Sequence, residues 1–582
     1  VTQPAPVSLK ALQRQLKVLV DDLRDQSEAI PELRAWLHEQ HAGANGQRTG
    51  ANFEEWREEQ LDQAAVAWLL GTVFVRFCED NKLISGVWLA GPDARTEAAV
   101  QAQTAYFIKE PTHNDRHWLL AAFRHLRELR ATAGIFGGHN PLWFFPISGD
   151  AAADLLDFWR RGPGVRSFAD SALDTRFLGD LYQDLSQYAR KRYALLQTPE
   201  FVEKFILDLT LTPSLAEYGL EDTSVIDPTC GSGHFLLGAF ARLHNRWKRD
   251  APAMDPRVRV QKALDQVTGV DVNPFAVAIA RFRLLVAALQ ACGERSLESA
   301  PGFQIRLAAG DSLLRWGKDS SHQGDILASL EGGEEYAYFT EDAALLATYL
   351  ERGQYTVAVG NPPYPPVKDK VLNKRYRQLY KTCSGKYALS VPFTERLFEL
   401  VRQYDESGRA GFVGQIAANS FMKREFGKRL IEEFFADKVE LSRVIDASGA
   451  DITGHSTATV ILIGRRRLPK HPSIRAVMGI VGKPAEPGDP PGGPVWAAIT
   501  QYFDQPDAHN PYVSVSDLPR ETLAKHSWSI AGGGAVELKE SLDAAGKDRI
   551  GAIAARLGVF GMTNADDEGY SAGRVEVQGD YG

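Results

Sequence analysis

Leu9, Leu12, Leu16, Leu19 and Leu23 recur at alternating spacings of three and four, so the chain opens with a helix bearing one apolar stripe. The stripe is only two to three heptads long, which favours packing inside its own domain over a coiled-coil contact. Residues 61–78 (LDQAAVAWLLGTVFVRFC) are apolar nearly all round and predict a buried helix. The pattern stays helical to about residue 190 and then changes. Short apolar runs at 224–227, 267–272, 304–308 and 355–359 predict strands buried on both faces. Helical stretches such as 234–247 and 274–291 lie between them. Strands alternating with helices in this way predict a doubly wound parallel α/β sheet. Residues 441–447 and 457–463 predict a closing hairpin, and the Pro/Gly-rich 483–494 predicts a linker into another domain.

Length and composition add limits. A chain of 582 residues exceeds one hydrophobic core. The division expected is an α-helical domain at 1–177, the α/β domain at 178–470, and a linker with the truncated start of a further domain at 471–582. Hydrophobic residues at 44% and charged residues at 24% are ordinary for a soluble globular protein. No apolar run reads as bilayer-spanning and no signal peptide is visible, so no membrane partner is expected. Cys78, Cys230, Cys292 and Cys383 form no CxxC pair. That gives no reason for a zinc site or a disulfide framework and fits a reducing cytoplasm. The net charge of −8 argues against a non-specific nucleic-acid coat, though a local basic surface can still face DNA.

Candidate chemistry lies where strands end. Val225-Ile226-Asp227-Pro228-Thr229-Cys230-Gly231-Ser232-Gly233 puts a carboxylate, a glycine loop and a helix amino terminus around one crevice. It is neither a dinucleotide GxGxxG nor a Walker A loop, which argues against a phosphate cradle. Asp271, before Val272, suits the two hydroxyls of a ribose, while Asn273 and Pro274 read as a helix cap and first turn. Asp311, before Ser312, is placed to accept from an adenine amino group, with an ordinary turn as the alternative. Asn361-Pro362-Pro363-Tyr364 ends the fourth strand. The Asn361 side-chain oxygen and the Pro362 carbonyl are two acceptors on a stiff diproline, able to clamp a planar NH2 group and aim its lone pair at a methyl sulfonium. Tyr364 offers an aromatic face to a base taken out of the stack.

In this order the motifs resemble the amino-group DNA methyltransferases of the gamma arrangement, over about residues 178–467. The resemblance implies a Rossmann-like class I methyltransferase sheet, S-adenosyl-L-methionine as cofactor, double-stranded DNA as partner, and methylation of adenine N6, with cytosine N4 as the alternative, adenine being favoured because the tetrapeptide begins with Asn rather than Ser. Residues 193–202 resemble the leading motif, with Thr198 and Pro199 near the methionine part of the cofactor. Asp227, Pro228, Cys230, Gly231 and Gly233 match the methionine-binding loop, Asp271 the ribose-binding acid, and Asp311 the residue holding the cofactor adenine. Val272, Ser312 and Asn361 fall at the same cofactor positions, and Asn361, Pro362, Pro363 and Tyr364 match the catalytic tetrapeptide. Residues 411–421 and 454–463 resemble the later motifs. The helical front, including Phe77-Cys78-Glu79-Asp80-Asn81, further resembles the methyltransferase of bacterial phage-defence systems of the phage growth limitation, or BREX, type, which implies other defence proteins as partners. The acid that family members commonly carry after the catalytic loop is missing from 386–390, so no cofactor role is assigned there. His455 is a weak candidate for the second face of the base.

Lys368, Lys370, Lys374, Arg375, Arg377, Lys381 and Lys386 crowd the segment after the tetrapeptide, opposed only by Asp369, and are expected to touch DNA phosphates. Arg465, Arg466 and Arg467 form a weaker second patch. No metal site is expected; Asp507 with Glu537 and Lys539 matches a magnesium nuclease in letters only. Residues 558–563 resemble the opening of a target-recognition domain with only about twenty residues after it, so the chain is expected to be an amino-terminal piece of a longer protein. The competing readings are a protein glutamine methyltransferase, whose substrate amide also presents NH2, and a non-catalytic DNA-binding subunit.

Overall fold

The computed structural model describes residues 9–91, 95–161, 167–170, 172–179, 198–317, 337–450, 452, 458–480, 492–528 and 530. Residues 193–197 of the leading motif, His455, Glu537, Lys539 and the 549–570 segment lie outside them. By its contacts the chain divides into Val1–Ile530 and Ala531–Gly582, the second unit lying wholly outside the described residues.

The helical front comprises α1 (Leu9–Ala29), α2 (Pro31–Ala44), α3 (Phe53–Asp80), α4 (Arg95–Lys109), α5 (Asp115–Glu128) and α6 (Gly149–Arg161). The leucine stripe packs α1 on α3, with Leu12, Leu19 and Leu23 buried, as the periodicity predicts. Asn52 starts α3 by accepting the Glu55 N–H at 2.9 Å, and almost every side chain from Trp56 onward is buried. A helix apolar all round needs partners on every side. One side of α3 takes α1 and α5; the other stacks Phe74 on Phe282 at 4.7 Å, on a helix of the α/β region. The expected domains 1–177 and 178–470 therefore share one hydrophobic core.

The Glu79-Asp80-Asn81 segment has a structural task. Glu79 accepts four successive backbone N–H groups, from Trp88 to Gly91, at 2.6–3.2 Å. Asp80 pairs with Arg76 and accepts the Phe168 N–H at 2.8 Å, and Asn81 binds the Phe77 and Phe168 carbonyls. Two buried carboxylates thus satisfy loop donors that the helical packing would otherwise bury without partners.

The α/β region runs α7 (Glu200–Asp222), β1 (Val225–Asp227), α8 (His234–Asp250), α9 (Pro256–Asp265), β2 (Val267–Asp271), α10 (Pro274–Cys292), β3 (Arg306–Ala309), α11 (Ala343–Tyr349), β4 (Val357–Gly360), α12 (Lys370–Leu379), α13 (Ser390–Leu400), β5 (Phe412–Ala418), β6 (Glu440–Asp446), β7 (Thr459–Arg465), β8 (Ser473–Gly479), α14 (Pro494–Tyr502) and β9 (Val513–Pro519). The strand order is β3-β2-β1-β4-β5-β7-β6-β8-β9. The first five strands are parallel, and β7 runs antiparallel between β5 and β6. This is the class I methyltransferase sheet that the resemblance implies. From β1 the chain moves to β2 and β3 on one side and then to β4 on the other, so the switch point falls between the carboxyl ends of β1 and β4.

Two expectations are corrected. The sheet does not end at residue 470: β8 pairs parallel with β6, and β9 antiparallel with β8. Pro494 opens α14, which packs on both strands. The Pro/Gly-rich 483–494 therefore falls between β8 and the start of α14 within one sheet region and does not mark an exit from it. Second, α3 and α10 are long and apolar enough to cross a membrane by length and composition, yet 89% and 67% of their most apolar windows are buried inside the protein. They are core helices.

Candidate functional site

The loop after β1 is built by its own backbone. Thr229 N–H donates to Asp227 Oδ1 at 2.9 Å, and Cys230 N–H donates to the Val270 carbonyl at 3.0 Å, tying the loop to β2. Gly231 and Gly233 have φ of +51° and +88°, which side chains rarely adopt. A Cβ on Gly233 would also lie 3.0 Å from that of Ala280 on α10. Buried Arg283, also on α10, donates to the Ser232 carbonyl at 2.7 Å and holds the loop from behind. The Gly231 N–H donates to Asp271 Oδ2 at 2.9 Å, and the Asn273 N–H to Asp271 Oδ1 at 2.8 Å. Among the described residues each Asp271 oxygen accepts one such bond, which leaves each a lone pair of the kind that grips a vicinal diol. Asn273 caps α10 and Pro274 takes its first turn, as read from the sequence.

Asp311 closes the row of acids at the end of β3. Its Oδ1 accepts the Leu313 N–H at 2.9 Å and its Oδ2 the Tyr376 hydroxyl at 2.5 Å. The Ser312 hydroxyl donates to the Pro228 carbonyl at 2.7 Å, so it locks the first loop. At the end of β4 the Tyr364 hydroxyl donates to Asn361 Oδ1 at 2.9 Å. Gly360 lets the loop after β1 lie close against the end of β4, since a Cβ there would lie 2.9 Å from Thr229 Oγ1.

These elements line one cavity of about 910 Å3, which contains Asp227, Pro228, Cys230, Gly231, Asp271, Val272, Asp311, Ser312 and all of 361–364. That volume suits a nucleoside-sized cofactor with room for a base. Val272 is 43% exposed, an apolar face beside the Asp271 carboxylate. Thr198 lines the cavity and its carbonyl meets His234 Nδ1 at 3.0 Å. Burial lowers His234 to about 4, so the ring is neutral and Nδ1 is the donor. Pro199 and Gly233 do not line the cavity; they precede α7 and α8 and set where those helices begin. Burial, opposed by the Thr229 N–H and reinforced by Asp271, pushes Asp227 up to about 8. Burial pushes Asp271 up to about 6 against the N–H groups of Asn273 and Gly231. A buried acid held in this way is poised for a cationic or hydroxyl-rich ligand.

The helical front supplies a wall that no sequence signal announces. Arg48, between α2 and α3, makes a bidentate pair with Glu341 at 2.9 and 2.7 Å across 293 residues. Both side chains line the cavity, and they are only 3% and 5% exposed. The guanidinium lies over the rings of Tyr338 and Trp316, 5.0 and 5.5 Å from their centroids. Burial alone would lower Arg48, but Glu341 more than offsets it and the group is held above its ordinary range.

Of the basic residues, Lys368, Lys370, Lys374, Arg377, Lys381 and Lys386 are exposed and Arg375 is half-buried; Lys368 and Lys370 also reach the cavity rim. Asp369 does not dilute this charge in isolation, since it caps α12. The Arg465–Arg467 patch is corrected. Arg465 pairs with Glu217, Arg466 donates to the Glu399 and Val401 carbonyls, and Arg467 pairs with Glu440, so all three are engaged within the fold. Among the described residues no group of three or more His, Cys, Asp or Glu is placed to hold a metal ion.

Residues 265–452 match the family described as Eco57I restriction-modification methylase. The chain is 47% identical over 586 aligned residues to the adenine-specific methyltransferase PglX of Streptomyces coelicolor, covering 96% of this chain and 48% of that protein. It is 28% identical over 319 residues to the type II methyltransferase M.PaeR7I of Pseudomonas aeruginosa, covering 52% and 47%. A solved modification subunit from Vibrio vulnificus YJ016 aligns with 93% of this chain and 100% of its own at 14% identity and a TM-score of 0.48. The chain spans about half the length of the curated relatives it matches.

Proposed function

We propose that this chain, a relative of PglX-type adenine methyltransferases with an Eco57I-type methylase region, transfers a methyl group from S-adenosylmethionine to N6 of an adenine flipped out of double-stranded DNA. The observation that carries the reading is the opening of Asn361 and Tyr364 into the same cavity as Asp227, Asp271 and Asp311. The cofactor, when bound, supplies an electrophilic methyl on a sulfonium. Asp271 grips the ribose, Val272 covers an adenine face, and Asp311 accepts from the adenine amino group. The 227–233 loop, with Thr198 beside it, holds the methionine part, where a cofactor ammonium favours the ionised form of Asp227. Asn361 Oδ1 and the Pro362 carbonyl accept the two hydrogens of the target amino group, which frees its lone pair from the ring. The Tyr364 hydroxyl fixes the Asn361 amide until the base enters, and its ring then stacks on that base. Water takes the proton lost after attack. We place this reaction in the cytoplasm, in a phage-defence system with other proteins of that system as partners.

A methyl-transfer assay with the chain, labelled cofactor, duplex DNA and a glutamine-containing peptide tests the reading. Label in DNA as N6-methyladenine is expected. Label only in the peptide would establish glutamine methylation instead, and cofactor binding without transfer would establish a non-catalytic subunit.

The raised acids set a pH dependence. Asp271, ordinarily near 3.8 and here about 6, accepts ribose hydroxyls well only when ionised. The Asp271 contribution to cofactor affinity is therefore full above neutrality and falls as pH drops through about 6, while Asp227, at about 8, adds a loss that begins at higher pH. Asp271→Asn should weaken binding at pH 7.5 by about ten- to a hundredfold, the loss of charge-assisted bonds, and flatten this dependence. Calorimetry from pH 5 to 8 checks both, and an unchanged profile in the variant rules out the ribose role. For the free protein the sign is opposite. Burying Asp227 and Asp271 favours the fold below about 3.8, and that contribution is lost as pH rises through about 6 and about 8.

Lys374→Gln should weaken binding to all duplexes alike and reduce the slope of log affinity against log salt by about one, because one phosphate contact is lost. Fluorescence anisotropy between about 50 and 200 mM salt reads this. An unchanged slope removes Lys374 from the DNA surface.

A further inference from the structure

Besides the bond from Arg377 to the Gly385 carbonyl, the helix that carries the basic residues is pinned at two points away from its basic side chains. At its amino end Asp369 Oδ1 accepts the N–H groups of Val371 and Leu372 at 2.8 and 3.1 Å. Oδ2 of the same carboxylate accepts the Thr49 hydroxyl at 3.1 Å and the Gly50 N–H at 2.8 Å, from the helical front. Two turns along, Tyr376 is buried at 5% exposure, and its hydroxyl donates to Asp311 Oδ2 at 2.5 Å. Lys374 and Arg377 near it are exposed, and its neighbour Arg375 is half-buried. Val371, Leu372 and Tyr376 of α12 are thus part of the cavity wall, and Lys370 stands at its rim.

A phenylalanine would fill the same apolar space, so the hydroxyl serves the bond to Asp311 rather than the packing. That bond joins the acid assigned to the cofactor adenine with the helix assigned to DNA phosphates. An amino group arriving at Asp311 adds to, or displaces, the Tyr376 donor on the same carboxylate, and either change bears on where α12 sits. We propose that Tyr376 is a positioning residue that couples occupancy of the cofactor cavity to the seating of α12 on DNA, an inference that rests on the functional reading above. Coupling of this kind is reciprocal: whatever factor the cofactor adds to DNA affinity, DNA adds to cofactor affinity.

The test measures duplex affinity with and without saturating sinefungin, a non-transferring cofactor analogue, and sinefungin affinity with and without duplex. For the wild-type chain the two ratios should agree and differ from one by about fivefold or more. In Tyr376→Phe, with folding checked by thermal unfolding, both ratios should fall below about twofold whatever happens to either affinity alone. A merely structural role would shift the affinities and leave the ratio. If Tyr376→Phe does not fold, Thr49→Val removes the hydroxyl bond at the other pin and should lower the ratio likewise. A wild-type ratio of one, or an unchanged ratio in a folded variant, overturns the coupling and leaves the enzyme reading intact. Failure of the wild-type chain to bind sinefungin at all overturns the enzyme reading and this inference with it.

Discussion

Asn361→Ala should transfer methyl groups at least about a hundredfold to a thousandfold more slowly than the wild-type chain, the loss expected when one preorganised partner of the reacting group is removed. In the proposed clamp the asparagine oxygen is one of two acceptors that set the amino nitrogen in line with the methyl donor, and alanine leaves one. A nitrogen whose lone pair stays conjugated with the ring is a poor nucleophile, and misalignment adds to the loss. The fold should survive. Asn361 is only partly buried, and the Tyr364 hydroxyl that donates to it lies on a cavity wall where water can replace the lost acceptor. Single-turnover transfer at saturating cofactor checks the rate, and thermal unfolding checks the fold. A wild-type rate in the variant would remove the amino-group clamp from the mechanism.

Arg48→Met should cost about 3–5 kcal/mol of stability, because it leaves Glu341 buried without its cation. Among the described residues Glu341 then keeps the Tyr338 N–H, at 2.8 Å. The guanidinium lies over two aromatic rings and the Glu341 side chain is 5% exposed, so little water reaches the stranded carboxylate. Arg48→Met combined with Glu341→Gln removes both charges and should recover much of the loss, since a matched pair contributes little net while a broken one costs heavily. Denaturant midpoints for the two single variants and the double variant complete the cycle. A loss below about 1 kcal/mol in Arg48→Met would mean that the pair is open to solvent. The same variant should loosen the cofactor cavity, because the helical front would lose its one ion pair to the cavity wall among those recorded for the described residues.

The elements that encode their own environment were legible without the fold. Val225–Asp227, Val267–Asp271, Arg306–Ala309 and Val357–Gly360 form where continuous apolar runs required strands covered on both faces. Asp227, Asp271, Asp311 and Asn361 were legible as site candidates because each ends such a strand, and a parallel sheet brings all carboxyl ends to one edge. The leucine stripe of α1 and the all-round apolar α3 likewise announced what they would bury.

Only the tertiary structure decided the rest, and the reason lies in sequence distance. Arg48 and Glu341 stand 293 residues apart, and an arginine in a loop looks the same whether it is solvated or paired. Tyr376 reads as one aromatic residue of a basic helix until β3 brings Asp311 to its hydroxyl. Arg465, Arg466 and Arg467 look like a patch for an anionic partner, but the ends of neighbouring strands and helices supply their acceptors. Strands β8 (SIRAVMG) and β9 (VSVSDLP) mix apolar with polar positions, so their place in the same sheet is decided by pairing: β6 offers an edge to β8, and β8 offers one to β9. Local periodicity and capping depend on neighbours a turn or a pleat away and are written in the sequence. Ion pairs, edge pairing and the closing of one cavity by two regions depend on groups that meet only after the chain has folded.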